Sequence, residues 1–206
     1  MQALRADFYD RPVLEVAREL IGCTVEHRGV AGVIVETEAY HESEPACHAF
    51  VGLTPRTSTL FGEPGRAYVY LSYGIHSLFN AVCEPEGVGA AVLIRALAPT
   101  VGIETMRSRR GQVRDRDLCS GPGKLTQALG ISLAENGVDL SDGEIRIRPR
   151  DEGWLEPDVV EGTRIGITRA VDLRWRFCAA GDPNVSRPRT TQGAAVLSGS
   201  AASPRD

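Results

Sequence analysis

The chain has 206 residues, 42% of them hydrophobic, which is enough to bury the core of one domain and fits one better than two. Its net charge of −4 excludes a bulk electrostatic pull toward nucleic acid, so any such binding has to come from local patches. No segment is apolar over a bilayer-spanning length and no N-terminal run reads as a secretion signal, so the expectation is a soluble protein of the cytoplasm.

From the N-terminus, Asp10 reads as a helix N-cap and Pro12 as first-turn. Val13, Val16, Ala17, Leu20 and Ile21 then recur at helical spacing until Gly22 ends the helix. Residues 23–26 and 32–40 read as strands on either side of an Arg28-Gly29 turn. In the second strand, period two puts Glu36, Glu38 and Tyr40 on one face, an apolar start followed by three polar groups, as in a strand running from the core out into a cleft. Residues 41–65 have no clean period and six Gly or Pro, which predicts a long loop with room for a short helix. Strand character returns at 66–73, 78–83 and 89–96.

A helix is expected over residues 101–110. A second follows the Gly121-Pro122-Gly123-Lys124 turn, whose exposed N–H groups suit a phosphate but lack P-loop spacing. Short strands near 145–148 and 164–167 close the fold. From Thr190 onward the Ser, Ala, Gly and Thr composition carries no core pattern, so residues 190–206 read as a disordered tail. The five cysteines stand singly, without zinc or redox spacing, and are expected as reduced thiols in or near the core. Arginine supplies every cation but Lys124 and crowds at 107–110, 114–116, 146–150 and 164–176. Guanidinium forks suit phosphate, but composition alone explains such a bias equally well.

Four of the five tyrosines, Tyr40, Tyr68, Tyr70 and Tyr73, fall in the same stretch as the Glu36-Thr37-Glu38 run. Flat rings with one polar end, grouped beside carboxylates, suit a slot for a planar polar ring such as a nucleobase, although strand tyrosines also simply pack cores. Glu36 and Glu38 could share acid and base work, yet paired acids on one strand are common by chance.

The order of motifs is more specific than any one of them: Glu36 to Tyr40, Ala46-Cys47-His48, Tyr68 to Gly74, Asn80, Leu93 to Ala96, Gly121 to Leu125 and Gly181 to Arg187. This order resembles the alkyladenine (3-methyladenine) DNA glycosylases, purine-specific base-excision enzymes, over nearly the whole chain less its tail. The resemblance implies a single α+β domain over residues 1–189, built on a curved, mainly antiparallel sheet with flanking helices. It implies that Glu38 activates the water attacking C1′, with Glu36 in support, while Arg95 and the backbone carbonyl of Ile165 hold that water. It makes Tyr40, His48 and Tyr70 the walls around an extruded base and gives the backbone near Ala46 and His48 to the purine edge. Tyr73 becomes the wedge left in the duplex, Asn80 the residue that crowds the 2-amino group of guanine, and Arg56 and Lys124 contacts to the DNA backbone. The implied partner is duplex DNA holding damaged purines, met by a monomer of the bacterial nucleoid or cytoplasm.

The chain departs from the family where Thr57-Ser58-Thr59 and Glu63 stand in place of basic or bulky residues, and residues 169–176 align poorly with it. Lys124 is the only lysine, so no Schiff-base lyase step is expected and the product is an abasic site. No metal or organic cofactor is called for. Two alternatives stay open at this point: a non-catalytic reader of damaged nucleic acid using the same slot, and a metal-dependent hydrolase built on Glu36, Glu38, His41 and His48.

Overall fold

The computed structural model describes residues 2–111, 113–151 and 158–187. The expected tail of residues 190–206 lies outside them. Two short helices, α1 (Ala6–Tyr9) and α2 (Val13–Glu19), lead into β1 (Thr24–His27) and the long β2 (Val30–His41). A loop with two 3₁₀ turns, His48–Val51 and Ser58–Phe61, precedes β3 (Ala67–Ser72), β4 (His76–Val82) and β5 (Ala90–Val101). Helices α3 (Ile103–Arg110), α4 (Asp115–Leu118) and α5 (Pro122–Leu129) follow, then the short strands β6 (Ile145–Arg148), β7 (Val159–Gly162) and β8 (Arg176–Ala179).

Among the described residues, all eight strands join one antiparallel sheet in the order β3-β4-β5-β2-β1-β6, and β8, carrying β7, pairs with β2. The α+β class with a mainly antiparallel sheet is therefore as expected. With β5 along one edge of β2, the other edge is shared: β1 pairs with Val30 to Val33, and β8 with Glu36 to Glu38. Register shifts on both sides of Glu36 mark a bulge between β2 and β5 where the sheet changes partner, the position at which a bulge bends a strand.

Alternation then sorts the two faces. Ala39, Val69, Phe79, Ala81, Val92 and Ile94 enter the main core beneath α2, α3 and α5, and Thr37 fixes α2 by donating its hydroxyl to the Ala17 carbonyl at 2.7 Å. The opposite face carries Glu38, Leu93, Asn80 and Tyr68 in one cross-strand row, each directly opposite the next. The residues 41–65 loop folds over this face and packs Cys47, Ala49 and Leu60 against Tyr68, Val82 and Ala91. All five cysteines are free and buried, as expected.

Two expectations fail. Asp10 does not cap α2. The cap position is Pro12, without a side-chain bond, and the Val13 N–H is satisfied instead by Glu84 Oε1 at 2.9 Å, from the end of the β4 hairpin. Residues 164–167 are not a strand, because Gly166 takes a left-handed φ of 80° and the Ile165 N–H is directed to a side chain rather than to a ladder. The closing strands are β7 and β8, which lie on either side of that segment.

Candidate active site

Glu36 and Glu38 project from β2 as their spacing predicts, and both are fully buried. Arg95, from the middle of β5 rather than a strand end, lies between them. Its Nε donates to Glu36 Oε1 at 2.9 Å and its Nη1 to Glu38 Oε2 at 3.1 Å. Glu36 is then saturated: Arg176 Nε donates to Oε1 at 2.7 Å, the Ser186 hydroxyl to Oε1 at 2.9 Å and the Ser186 N–H to Oε2 at 2.7 Å. Burial alone would push Glu36 up, but Arg95, Arg176 and the two Ser186 bonds outweigh it and hold the carboxyl below its ordinary range. It is a fixed anion that anchors the arginines.

Glu38 differs. Burial dominates there and pushes its carboxyl above the ordinary range, against the opposing pull of Arg95, the Ile165 N–H at 2.7 Å and the Tyr40 hydroxyl at 2.9 Å. Two neighbouring carboxylates are thus driven apart, Glu36 held as an anion and Glu38 made easier to protonate.

Above them opens a cavity of about 900 Å³, within the range of ligand sites. Tyr40, Ala46, His48, Arg56, Tyr70, Tyr73, Asn80, Arg95, Lys124 and Ile165 all line it, whereas the buried Glu36 and Glu38 do not. Glu38 sits directly behind Tyr40, Arg95 and Ile165, bonded to all three. Tyr68 and Tyr70 point the same way from β3, with centroids 5.4 Å apart, and His48 stands edge-on to Tyr70 at 4.5 Å. Burial first, and Arg56 second, hold the His48 ring below its ordinary pKa, which favours the neutral ring. Asn80 Nδ2 donates to the Tyr68 carbonyl at 3.0 Å, which fixes the plane of the amide at the cavity wall.

The cavity lining holds Arg56, Arg95, Arg110, Lys124 and Arg169 and not one carboxylate, in a chain where acids outnumber basic side chains 27 to 23. The start of α5 lies along the same wall. Gly123 leaves room there for the His76 side chain, from which a Cβ would stand 3.0 Å. Tyr73 caps the β3–β4 turn, 89% exposed.

The four side chains of the metal alternative are not brought together. Glu36 and Glu38 are engaged by arginines, His41 Nδ1 bonds the Ser43 hydroxyl at 2.7 Å and His48 Nδ1 bonds the Tyr68 hydroxyl at 3.1 Å. Tyr68, Arg176 and Ser186 had no assigned role in the sequence. Alternation with Tyr70 could have found Tyr68, whereas nothing local marks the other two.

A family model described as Methylpurine-DNA glycosylase (MPG) matches residues 7–183. The chain is 57% identical over 185 residues to a protein of Rhodopseudomonas palustris (strain HaA2), covering 90% of each chain. It is 54% identical over 186 residues to one of Nitrobacter winogradskyi, covering 90% of this chain and 88% of the relative. It is 48% identical over 189 residues to one of Methanoculleus marisnigri, covering 89% of this chain and 98% of the relative. All three carry the name "Putative 3-methyladenine DNA glycosylase". A cavity lined by cations and aromatics over a buried carboxylate is what removal of a base from a polyanion requires, and with these matches it places the chain in the methylpurine-DNA glycosylase family, hydrolases of N-glycosyl bonds.

Proposed function

We propose that the protein is a monofunctional glycosylase that excises alkylated or deaminated purines from duplex DNA and leaves an abasic site. The substrates in view are 3-methyladenine, 7-methylguanine, hypoxanthine and ethenoadenine. The observation that carries this reading is the pairing of a carboxylate raised by burial with an aromatic, cation-lined cavity directly in front of it. A purine turned out of the stack lies against Tyr40, His48 and Tyr70. Stacking of about 1–3 kcal/mol per base is comparable to the few kcal/mol needed to unstack a damaged nucleotide. Tyr73 fills the gap left in the duplex, and Asn80 meets the 2-amino position, so normal guanine is rejected by crowding.

In the chemical step the C1′–N9 bond breaks with its electron pair going to the purine, and the sugar acquires oxocarbenium character. Ionised Glu38 stabilises that charge and takes a proton from the water whose oxygen bonds to C1′, with Arg95 and the Ile165 carbonyl orienting the water. Alkylated cationic purines leave without a proton, whereas neutral hypoxanthine leaves with one taken up at N7 from solvent water. Arg56 and Lys124 meet the phosphates on either side.

Single-turnover release from duplexes holding one hypoxanthine or one alkylated adenine tests the reading. Native protein is expected to release base, and Glu38→Gln to bind without release. Because burial raises Glu38, the acid limb of the native rate should lie above the ordinary carboxylate pKa of about 4.3: the rate falls as pH drops through the raised pKa and the carboxylate takes a proton. Binding of lesion duplexes by both proteins with release by neither would make the cavity a reader.

A further inference from the structure

Behind the cavity, outside its lining, lies a second buried ion pair to which nothing yet gives a role. The Arg164 side chain is fully buried and that of Glu44 is 5% exposed. They meet as a fork, Nη1 to Oε1 at 2.6 Å and Nη2 to Oε2 at 2.9 Å. Its contacts reach Tyr40 and Ala46 of the proposed base slot, and residues beside them. The guanidinium lies 4.6 Å over the Tyr40 ring and 5.3 Å over Trp175, covering the back of Tyr40. Its Nη1 also donates to the Ala39 carbonyl at 3.0 Å, holding the β2 backbone beside that tyrosine. Glu44 Oε2 accepts the Ala46 N–H at 2.8 Å, which fixes the loop backbone assigned to the purine edge. The residue after Arg164 is Ile165, whose N–H holds Glu38. Among the described residues Arg164 Nε has no hydrogen-bond partner, so the guanidinium sits where the rings and the fork require at the expense of one donor.

We infer that the Arg164–Glu44 pair is the positioning strut of the active site, locking Tyr40, Ala46 and Ile165 in mutual register so that base stacking, edge recognition and the catalytic carboxylate are assembled before DNA arrives. The inference rests on the glycosylase reading of that cavity. Neither side chain lines the cavity, so neither acts on substrate directly. What they remove is freedom. With its hydroxyl given to Glu38 and its back face covered, the Tyr40 ring cannot swing, and Arg164 and Glu44 join two loops 120 residues apart in sequence that would otherwise move independently. Preorganisation of this kind is sensitive to small displacements, since a shift of about 1 Å in a reacting group can cost about a hundredfold in rate.

The test uses the full chain as native protein, Glu38→Gln, Glu44→Gln, Arg164→Lys and the double variant Arg164→Lys with Glu44→Gln. The probes are a hypoxanthine duplex for single-turnover release, an ethenoadenine duplex whose fluorescence reports the unstacked base, and an undamaged duplex for phosphate affinity. Glu44→Gln is expected to lose about ten- to a hundredfold in release rate and most of the ethenoadenine signal, with affinity for undamaged duplex unchanged. Arg164→Lys, which keeps the charge but loses the fork and the stack, should lose less, and the double variant should be no worse than Glu44→Gln because both changes break the same strut. Circular dichroism checks folding, and if Glu44→Gln does not fold, Arg164→Lys carries the comparison. Folded variants that release base at the native rate overturn the strut, as do losses that track affinity for undamaged duplex. If native protein releases no base, the glycosylase reading falls and the strut with it. Release by native protein but not by Glu38→Gln upholds that reading whatever the strut variants do.

Discussion

Tyr73 combines two features that a packing role does not explain: its side chain is 89% exposed, and its backbone is left-handed at φ 51°. Gly74 follows at φ 69°, and the Ile75 N–H closes the turn on the Ser72 carbonyl at 3.1 Å. The left-handed region costs a residue with a Cβ about 1–2 kcal/mol, a penalty that Gly escapes and Asn partly offsets. An aromatic ring held there, in water, at the cavity, stores strain where the proposed wedge stands. Tyr73→Asn is therefore expected to leave stability unchanged or raise it by up to about 1 kcal/mol, measured by denaturant midpoint. The same change should lower single-turnover excision from duplex severalfold while leaving excision from a single-stranded lesion oligonucleotide near native. Loss of stability, or equal losses on both substrates, would make Tyr73 a structural residue and leave the wedge without its side chain.

Among the elements, α2 shows how local signals are completed from a distance. Its first N–H is capped by Glu84, a residue 71 positions away that itself adopts φ 66°. Removing a cap typically costs about 1 kcal/mol, so Glu84→Ala should lower the melting temperature by about 2–4 °C in a domain of this size. Base release measured well below the melting temperature should remain native, because α2 packs behind the sheet rather than in the cavity. The same contrast between near and distant partners explains what could be read in advance. Period two along β2 exposed the face carrying Glu36, Glu38 and Tyr40, and the same alternation along β3 would have paired Tyr68 with Tyr70, since each depends only on its own strand. The motif order then drew Arg95, Asn80 and Tyr73 to the same place. Arg176 and Ser186 escaped notice because they reach Glu36 across 140 and 150 residues, and their identity as partners exists only once β8 lies beside β2. β7 and β8 lack the clean alternation that marks Ile145 to Arg148, and residues 164–167 imitated a strand although their backbone serves a carboxylate instead. Most of the arginine crowds likewise became intramolecular pairs: Arg107 with Glu104 and Asp115, Arg114 with Asp117, Arg148 with Glu26.

At the scale of the molecule, those pairs settle how an acidic protein meets a polyanion. Many carboxylates elsewhere are paired with arginines, while the cavity wall and rim keep Arg56, Arg110, Lys124 and Arg169 with no acid among the lining residues. Arg110 spends its donors on the Leu118 carbonyl and the Gln127 side chain, neutral groups that leave its charge uncancelled. Binding should then depend on a small, local set of phosphate contacts rather than on net charge. If these four cations each meet one phosphate, the affinity for duplex should fall with salt at a log–log slope of about −3.6, a loss of about a hundredfold between 50 and 200 mM. Fluorescence anisotropy on the non-cleaving Glu38→Gln protein would measure it. Neutralising Arg56 or Lys124 should each lower the slope by about 1, whereas neutralising Arg107, already paired to Glu104 and Asp115, should leave it unchanged. A slope near zero would mean that the rim does not touch the backbone. A slope much steeper than four contacts allow would require a basic surface beyond the cavity, against the distribution of charge seen here.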